Sequence, residues 1–375
     1  MKILIVAGAR PNFMKIAPLI RQLRTNDKKY RINGLSWKLI HTGQHYDFEM
    51  SKVFFDDLDI PKPDYFLNAG SGTHAEQTAK VMVEFEKVCF EERPDVVVVV
   101  GDVNSTLACS VIAKKLNIKV AHVEAGLRSG DMSMPEEINR IVTDSISDYL
   151  FVTEESGMEN LKKEGKNEEQ VFFVGNIMID TLYYSLKKLE DKKLRKSGVG
   201  ESLQNSNHHP NANGYAVVTL HRPSNVDDKE KLEDIILALK EISKDMDVYF
   251  PMHPRTKKSI ETFKMNNLLN DIEVVPPKAY LEFLALWKDA SLVLTDSGGL
   301  QEETTALGIP CFTIRENTER PVTIEKGTNT LVGTSRKTIL KTYKEFKEGK
   351  REKGYIPELW DGKTAERILN IIFEK

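Results

Sequence analysis

Short apolar runs alternate with amphipathic stretches along the first half of the chain. Residues 2–7 are rich in β-branched side chains and end at Gly8, residues 14–24 have helical spacing, and residues 95–101 contain consecutive valines. A continuous apolar run is typical of a strand that is buried on both faces of a parallel sheet. This alternation of strand and helix signals predicts a doubly wound α/β sheet. The same pattern places further strands at 37–42, 119–123, 148–153 and 171–174, and further helices at 76–91 and 106–116.

The pattern is interrupted in the middle of the chain and then begins again. A charged helix is predicted from residue 177 to about 196, and residues 197–214 are rich in Ser, Asn, Gly, His and Pro, which is typical of a solvated loop. The paired His208 and His209 fall in this loop, so we interpret them as surface residues and not as metal ligands. The second half has strand signals at 215–220, 247–251, 272–275, 292–295 and 311–314, and helix signals at 229–244, 280–287 and 301–307. The sequence therefore predicts two Rossmann-like domains with a central cleft, where ligands bind at the carboxyl ends of the strands.

Length, charge and cysteine content narrow the class of protein. The 375 residues suffice for two α/β domains, and a net charge of −3 does not favour binding to nucleic acid. The three cysteines have no paired spacing, which indicates reduced thiols and not a disulfide or zinc set. The longest purely apolar run is too short to cross a bilayer. We expect a cytoplasmic protein that binds neither nucleic acid nor a membrane and holds no metal.

Acidic residues follow several of the predicted strands. Asp102 comes directly after the valine strand, Glu124 closes the next strand, and Glu136 opens a helix behind a proline. Taken alone, Asp102 has the position of a helix N-cap, and Glu136 that of an ordinary partner of the helix dipole. Three carboxylates at one sheet edge are less ordinary, because crowding separates their pKa values and yields one base and one acid.

Cationic side chains follow other strands. The first turn, residues 8–11, has one glycine and so lacks the dinucleotide-binding fingerprint, but Arg10 there is either a phosphate ligand or a surface arginine. His221 and Arg222 close one strand of the second half, and His253 closes the next with an arginine two residues later. Two such groups after successive strands favour a cationic wall over isolated structural histidines.

The most specific local signal lies at residues 295–303. A strand runs into Ser297, Gly298 and Gly299 and then into a helix, so backbone N–H groups and the helix dipole face a potential diphosphate. Glu303 lies one turn further on, where its carboxylate can accept hydrogen bonds from ribose hydroxyls. The alternative is a tight turn with an N-cap, but the carboxylate at this offset favours nucleotide binding. Arg320 adds a cation near the same edge.

Together these motifs resemble the UDP-N-acetylglucosamine 2-epimerase family over nearly the whole chain. The matching segments are Gly8-Ala9-Arg10-Pro11, Gly101-Asp102, residues 122–128, Pro135-Glu136-Glu137, Asn139-Arg140, His221-Arg222, residues 296–303 and Thr318-Glu319-Arg320-Pro321. The resemblance implies a glycosyltransferase-B-like fold, with a first domain at 1–176 plus a C-terminal helix at 362–375 and a UDP-binding domain at 177–361. It also implies a homodimer that needs no cofactor.

The resemblance also implies roles for individual residues. Catalytic roles fall to Asp102, Glu124, Glu136 and His221. UDP-sugar contacts fall to Arg10, Lys15, Ser297, Gly298, Gly299 and Glu303, beside the cationic His253 and Arg320.

The implied activity is reversible inversion of carbon 2 of UDP-N-acetylglucosamine by elimination of UDP to a glycal and re-addition. Ala9 and residues 70–78 depart from the pattern of allosterically activated bacterial members, and residues 70–78 look more like relatives that act on UDP-2,3-diacetamido-glucuronate. The alternatives are therefore an epimerase of another UDP-acetamido sugar, a hydrolysing epimerase that releases N-acetylmannosamine and UDP, a UDP-sugar glycosyltransferase, and a non-catalytic sensor.

Overall fold

The computed structural model describes residues 1–26, 30, 34–43, 55–191, 214–350 and 354–374, apart from the side chain of Arg10. Residues 197–213 of the predicted loop, including His208 and His209, lie outside the described residues. Two compact units are present, one formed by Met1–Tyr183 with Glu358–Lys375 and the other by Tyr184–Pro357. We call them unit 1 and unit 2. Each contains one parallel sheet, which confirms the predicted α/β class.

Unit 1 is built on a seven-stranded parallel sheet within the described residues, in the order β3-β2-β1-β4-β5-β6-β7. Its strands are β1 Lys2–Ala7, β2 Ser36–His41, β3 Tyr65–Phe66, β4 Val96–Val100, β5 Lys119–Ala125, β6 Tyr149–Val152 and β7 Val171–Phe173. Its helices are α1 Arg10–Thr25, α2 His74–Glu92, α3 Asn104–Lys115, α4 Pro135–Ile146, α5 Glu155–Lys163 and, continuing into unit 2, α6 Ile177–Asp191. All five valines of β4 are buried, as expected of a central strand covered on both faces.

Unit 2 repeats the arrangement with a six-stranded parallel sheet in the described residues, in the order β10-β9-β8-β11-β12-β13. Its strands are β8 Tyr215–Thr219, β9 Asp247–Pro251, β10 Glu273–Val275, β11 Leu292–Thr295, β12 Cys311–Thr313 and β13 Asn329–Leu331. Its helices are α7 Pro223–Val226, α8 Lys229–Ile242, α9 Pro254–Thr262, α10 Tyr280–Trp287, α11 Gly298–Leu307, α12 Val322–Glu325 and α13 Arg336–Lys347. The buried faces of α8 and the sheet form its core.

The C-terminal helix, α14 Thr364–Glu374, belongs to unit 1. The Asp180 carboxylate in α6 accepts hydrogen bonds from the backbone N–H groups of Thr364, at 3.1 Å, and Ala365, at 2.8 Å. Burial nevertheless raises the pKa of Asp180 to about 6. The indole N–H of Trp360 donates to the carbonyl of Thr153 at 3.1 Å. A buried carboxylate and a buried tryptophan thus anchor the last helix.

Several boundaries differ from the sequence prediction. Helix α1 begins four residues earlier than residue 14, because Pro11 fits the first turn of a helix. Helix α11 begins at Gly298, three residues before the predicted start at residue 301, so that Gly298 and Gly299 are part of its first turn. The sequence analysis predicts neither the short elements β3, β13, α7 and α12 nor the helices α5, α9 and α13. No helix in the described part of the chain has the length and hydrophobicity needed to span a membrane.

Candidate active site

A buried ion pair lies at the carboxyl ends of β1 and β5 in unit 1. The ammonium group of Lys15 pairs with a carboxylate oxygen of Glu124, and the two side chains are only 8% and 7% exposed. Breaking a buried pair leaves a charge without compensation, which is strongly destabilising. The two predicted site residues are therefore fixed against each other.

The backbone at Glu124 is in an unusual conformation. Its φ is +76°, in the left-handed region that costs a non-glycine residue about 1–2 kcal/mol. Val123 pairs with Phe151 and Ala125 with Val152, so Glu124 is an extra residue in β5 relative to β6. Bulges of this kind re-aim side chains and occur often next to active sites. The strain supports a functional role for this carboxylate.

Gly101, with φ +65°, fits closely against the same ion pair. A Cβ atom at this position would lie 2.8 Å from Nζ of Lys15 and 3.4 Å from a carboxylate oxygen of Glu124. The backbone conformation favours glycine here, and a larger residue would push the Lys15 ammonium group away from its place against Glu124. Asp102 follows immediately, which places its backbone beside the pair.

Asp102 is held by the beginning of α4. The guanidinium of Arg140 donates to the Asp102 carboxylate at 2.5 Å and to Glu137 at 2.6 Å. Burial alone would raise the pKa of Glu137, but backbone N–H donors, first that of Ser129, and the Arg140 charge lower it below its usual value. Asn139 donates to the Asp102 carbonyl at 2.8 Å. The Asp102 side chain stays one third exposed and is open to a substrate.

Glu136 differs from the other two predicted carboxylates. It is exposed on the first turn of α4, next to the buried Glu137. In the described part of the chain it makes no hydrogen bond or ion pair. The structure thus brings Glu124 against Gly101, next to Asp102, and in the described residues no hydrogen bond or ion pair links Glu136 to either.

A buried pair of titratable side chains, His122 and Asp144, contacts the backbone of Gly101. One ring nitrogen of His122 lies 2.6 Å from the Asp144 carboxylate and the other lies 2.9 Å from the carbonyl oxygen of Gly101. Asp144 also accepts from the N–H of Gly126 at 3.0 Å and pairs with Arg128 at 2.8 Å. Burial opposes ionisation of Asp144, but the His122 and Arg128 charges outweigh it and lower its pKa.

In unit 2, Asp296 organises the carboxyl ends of β8 and β11. It is fully buried and accepts from the backbone N–H groups of His221, at 3.0 Å, and Arg222, at 2.9 Å. Nδ1 of His221 lies 3.0 Å from the same carboxylate. Burial would raise the pKa of Asp296, but the hydrogen bond and charge of His221 lower it. The His221 side chain is 43% exposed, so the buried acid orients an accessible imidazole.

His253 lies beside this group. The centroids of its ring and the His221 ring are 5.8 Å apart. Its Nδ1 accepts from the backbone N–H of Arg255 at 3.2 Å, which makes it the N-cap of α9. His253 therefore has a structural role as a helix cap, and the cationic wall expected from His221 and His253 stays a prediction.

The predicted diphosphate site is the N-terminus of α11. Ser297 is the N-cap but makes no side-chain capping bond, and the helix starts at Gly298 and Gly299. A Cβ on Gly298 would lie 2.7 Å from the guanidinium of Arg320. Arg320 pairs with Glu302 at 2.8 Å, so a cation is fixed directly against the helix terminus.

A cluster of three arginines surrounds Glu319. Its carboxylate lies 2.7 Å from Arg320, 2.9 Å from Arg315 and 3.6 Å from Arg222. Burial opposes its ionisation, but the charges of Arg320 and Arg315 hold the pKa of Glu319 far below its usual range. Burial, and then the neighbouring Arg315, lower the pKa of Arg222. Glu319 offsets the mutual repulsion of the three cations.

Glu303 is buried in α11. It accepts a hydrogen bond from the Tyr280 hydroxyl at 2.6 Å. Burial is the main cause that raises the pKa of Glu303 to about 7. The carboxyl group is therefore present in both protonation states near neutral pH.

Several organising residues escaped the sequence prediction of site residues. They are Glu137, Arg140, Asp144, Tyr280, Asp296 and Glu319. Arg10 opens α1, but its side chain lies outside the described residues. Among the described residues, no group of His, Cys, Asp and Glu side chains has an arrangement that could hold a metal ion.

Known proteins are similar to this chain over nearly its whole length. A family model described as UDP-N-acetylglucosamine 2-epimerase matches residues 28–373. The UDP-N-acetylglucosamine 2-epimerase of Methanocaldococcus jannaschii is 44% identical over 377 residues, which is 99% of each chain. A crystal structure of the M. jannaschii enzyme in complex with UDP-GlcNAc and UDP has a TM-score of 0.85 at 44% identity and covers 100% of both chains. The UDP-2,3-diacetamido-2,3-dideoxy-D-glucuronate 2-epimerase of Pseudomonas aeruginosa is 40% identical over 345 residues, 91% of each chain. The likeness over the full length confirms the glycosyltransferase-B-like fold.

Proposed function

Because this chain belongs to the UDP-N-acetylglucosamine 2-epimerase family, we propose that it reversibly converts UDP-N-acetylglucosamine into UDP-N-acetylmannosamine. The observation that carries the proposal is Glu124, a buried carboxylate on strained backbone beside Asp102. Two relatives named UDP-N-acetylglucosamine 2-epimerase each match 99% of the chain.

The chemistry explains why such a site is needed. Carbon 2 is not adjacent to a carbonyl group, so its proton is only weakly acidic. Departure of UDP develops positive charge at carbon 1 and makes that proton easier to remove. Anti elimination would give a glycal and UDP, and re-addition with the opposite configuration at carbon 2 would complete the inversion. Elimination followed by re-addition is redox-neutral, so the reaction consumes no nicotinamide.

Unit 2 supplies what the leaving group requires. The N–H groups at Ser297, Gly298 and Gly299 would face the diphosphate, and the positive end of the α11 dipole would stabilise its charge. His221, oriented by Asp296, would donate a hydrogen bond from its exposed side. Arg10 of unit 1 and Arg320 would add positive charge, and Glu303 would bind the ribose hydroxyls.

Unit 1 supplies the acid and the base. One carboxylate must remove the proton on one face of carbon 2, and a second group must return a proton to the other face. Glu124 and Asp102 are the strongest candidates because they flank the same glycine, and Glu136 is the third. Lys15 fixes the position of Glu124.

A second candidate is epimerisation of a related sugar, UDP-2,3-diacetamido-glucuronate. It is favoured by the P. aeruginosa relative at 40% identity. The same elimination and re-addition would apply, since the substituents at carbons 3 and 5 do not take part in the reaction.

The decisive experiment is proton NMR of the purified protein with UDP-N-acetylglucosamine in heavy water. We expect UDP-N-acetylmannosamine that carries deuterium at carbon 2, without added nicotinamide. Free N-acetylmannosamine and UDP would establish the hydrolysing reaction instead. Unchanged sugar signals, followed by turnover of the diacetamido-glucuronate, would establish the second candidate. A strict requirement for an acceptor would make the protein a glycosyltransferase.

We also propose that the enzyme acts in the cytoplasm as a homodimer. The three buried, unpaired thiols Cys89, Cys109 and Cys311 support a reducing compartment. The dimer is proposed from the family resemblance, and sedimentation equilibrium tests it, with a mass near 85 kDa expected for twice the 42.6 kDa chain. A mass near 42.6 kDa at all concentrations would contradict it.

A further inference from the structure

Asp144 links two residues that stand on either side of the strained Glu124, through the side chain of His122 and the backbone N–H of Gly126. His122 is two residues before it, and Gly126, whose N–H donates to Asp144 at 3.0 Å, is two residues after it. Asp144 is in α4 and has no exposed surface. One buried carboxylate therefore binds both ends of the bulge that carries Glu124.

The same pair also reaches the loop that carries Asp102. His122 uses its second ring nitrogen for the carbonyl oxygen of Gly101, at 2.9 Å, while the first faces Asp144. Because a carbonyl oxygen only accepts hydrogen bonds, the ring nitrogen that faces Gly101 is the donor in that bond. Gly101 in turn fits against the Lys15–Glu124 pair.

We propose that His122 and Asp144 are positioning residues that fix Asp102 and Glu124 relative to each other. The inference rests on the proposed epimerase function and adds two residues that do not contact the substrate. Left-handed backbone at a non-glycine residue persists only where the surroundings determine it. Without the bridge, Glu124 would relax and misalign by a fraction of an ångström, which is costly for proton transfer.

The test is Asp144→Asn, compared with wild type and with Asp180→Asn. The amide keeps the shape of Asp144 but replaces one acceptor oxygen with an NH2 group. That group then faces a hydrogen-bond donor that the carboxylate had bound. Asp180→Asn is the matched control, because Asp180 is also a buried carboxylate of unit 1 that accepts two backbone N–H bonds. We expect Asp144→Asn to lower kcat roughly 10- to 100-fold. KM and the Kd for UDP should stay within about threefold of wild type, and Asp180→Asn should keep its kcat.

The outcomes separate the two hypotheses. If wild type turns over no UDP-acetamido sugar, the proposed function fails and this inference fails with it. If wild type is active and Asp144→Asn has normal kcat, or loses kcat and UDP binding in parallel with Asp180→Asn, the positioning role alone is overturned. Should Asp144→Asn not fold, His122→Asn replaces it, because the asparagine amide takes the place of Nδ1 and can donate to Asp144 without also reaching Gly101. The same loss of kcat at constant KM supports the inference, and failure of both variants to fold overturns it.

Discussion

Replacing Glu303 by glutamine should make the stability of unit 2 less dependent on pH. The side chain is buried, accepts a hydrogen bond from Tyr280, and has a pKa of about 7 against an ordinary value of 4.5. Glutamine keeps the shape and a carbonyl oxygen that can accept the Tyr280 bond. It removes only the ability to ionise.

The direction in which pH changes the free energy of unfolding follows from proton binding by the folded and unfolded states. Because the folded protein holds the Glu303 proton to a higher pH than the unfolded chain does, the free energy of unfolding falls as pH rises from about 4.5 to about 7. Above that window both states are ionised and the contribution is constant. The gap between 4.5 and about 7 corresponds to about 3 kcal/mol, at about 1.4 kcal/mol for each factor of ten. The free energy of unfolding of Glu303→Gln minus that of wild type should increase by this amount across the window.

Urea unfolding between pH 4.5 and 8 measures the difference. The chain has three tryptophans, and Trp287 lies fully buried in unit 2, so its fluorescence reports on that unit in a background where Trp37 and Trp360 are phenylalanine. Glu282→Gln is the control, since Glu282 is exposed on α10 of the same unit and should give a flat difference. A flat difference for Glu303→Gln as well would refute the argument that burial keeps this carboxyl group protonated.

Three further predictions test other parts of the molecule. Glu124→Gln should lower kcat by at least about 100-fold with little change in UDP affinity, measured by NMR progress curves and calorimetry, and a loss below about tenfold would contradict its role in proton transfer. Gly298→Ala should weaken UDP binding several-fold in calorimetry because the methyl group displaces Arg320, and unchanged affinity would mean that neither group faces the diphosphate. The C-terminal helix should lose protection from hydrogen exchange as pH rises from about 4 to about 6, since ionisation of the buried Asp180 is unfavourable, and Asp180→Asn should abolish this dependence. An identical dependence in both proteins would contradict the last prediction.

The regular part of the fold could be predicted because burial leaves a clear pattern. Strands β4 and β11 are central in their sheets, and helices cover both of their faces. All of their side chains are therefore buried, which explains the continuous apolar runs in the sequence. The elements that escaped have weaker patterns. Helix α9 is short and mostly polar, and β13 is a three-residue edge strand with one buried residue. Their formation depends on tertiary neighbours.

For the site, the sequence indicated which acids and cations follow strands but not how they are held. Asp102 was singled out by its position just after β4, and Glu124 by its position at the end of β5. The bulge at Glu124 and its connection to Asp144 are tertiary features. A hint existed in α4, where Glu137, Arg140 and Asp144 are spaced as a buried helix face would be, although all three are charged.

The division of the chain into units also sets the order in which they can be completed during synthesis. All of Tyr184–Pro357 leaves the ribosome before Glu358, so unit 2 has its full sequence while unit 1 still lacks α14. In that nascent chain, the carboxylate of Asp180 and the carbonyl of Thr153 have yet to receive their donors from residues 360–365. The domain that begins first is therefore the last to close, and an unfinished polypeptide that stops before residue 360 carries a complete unit 2 beside an open unit 1. Such a product would expose the apolar surface that α14 covers and would be a substrate for chaperones and proteases.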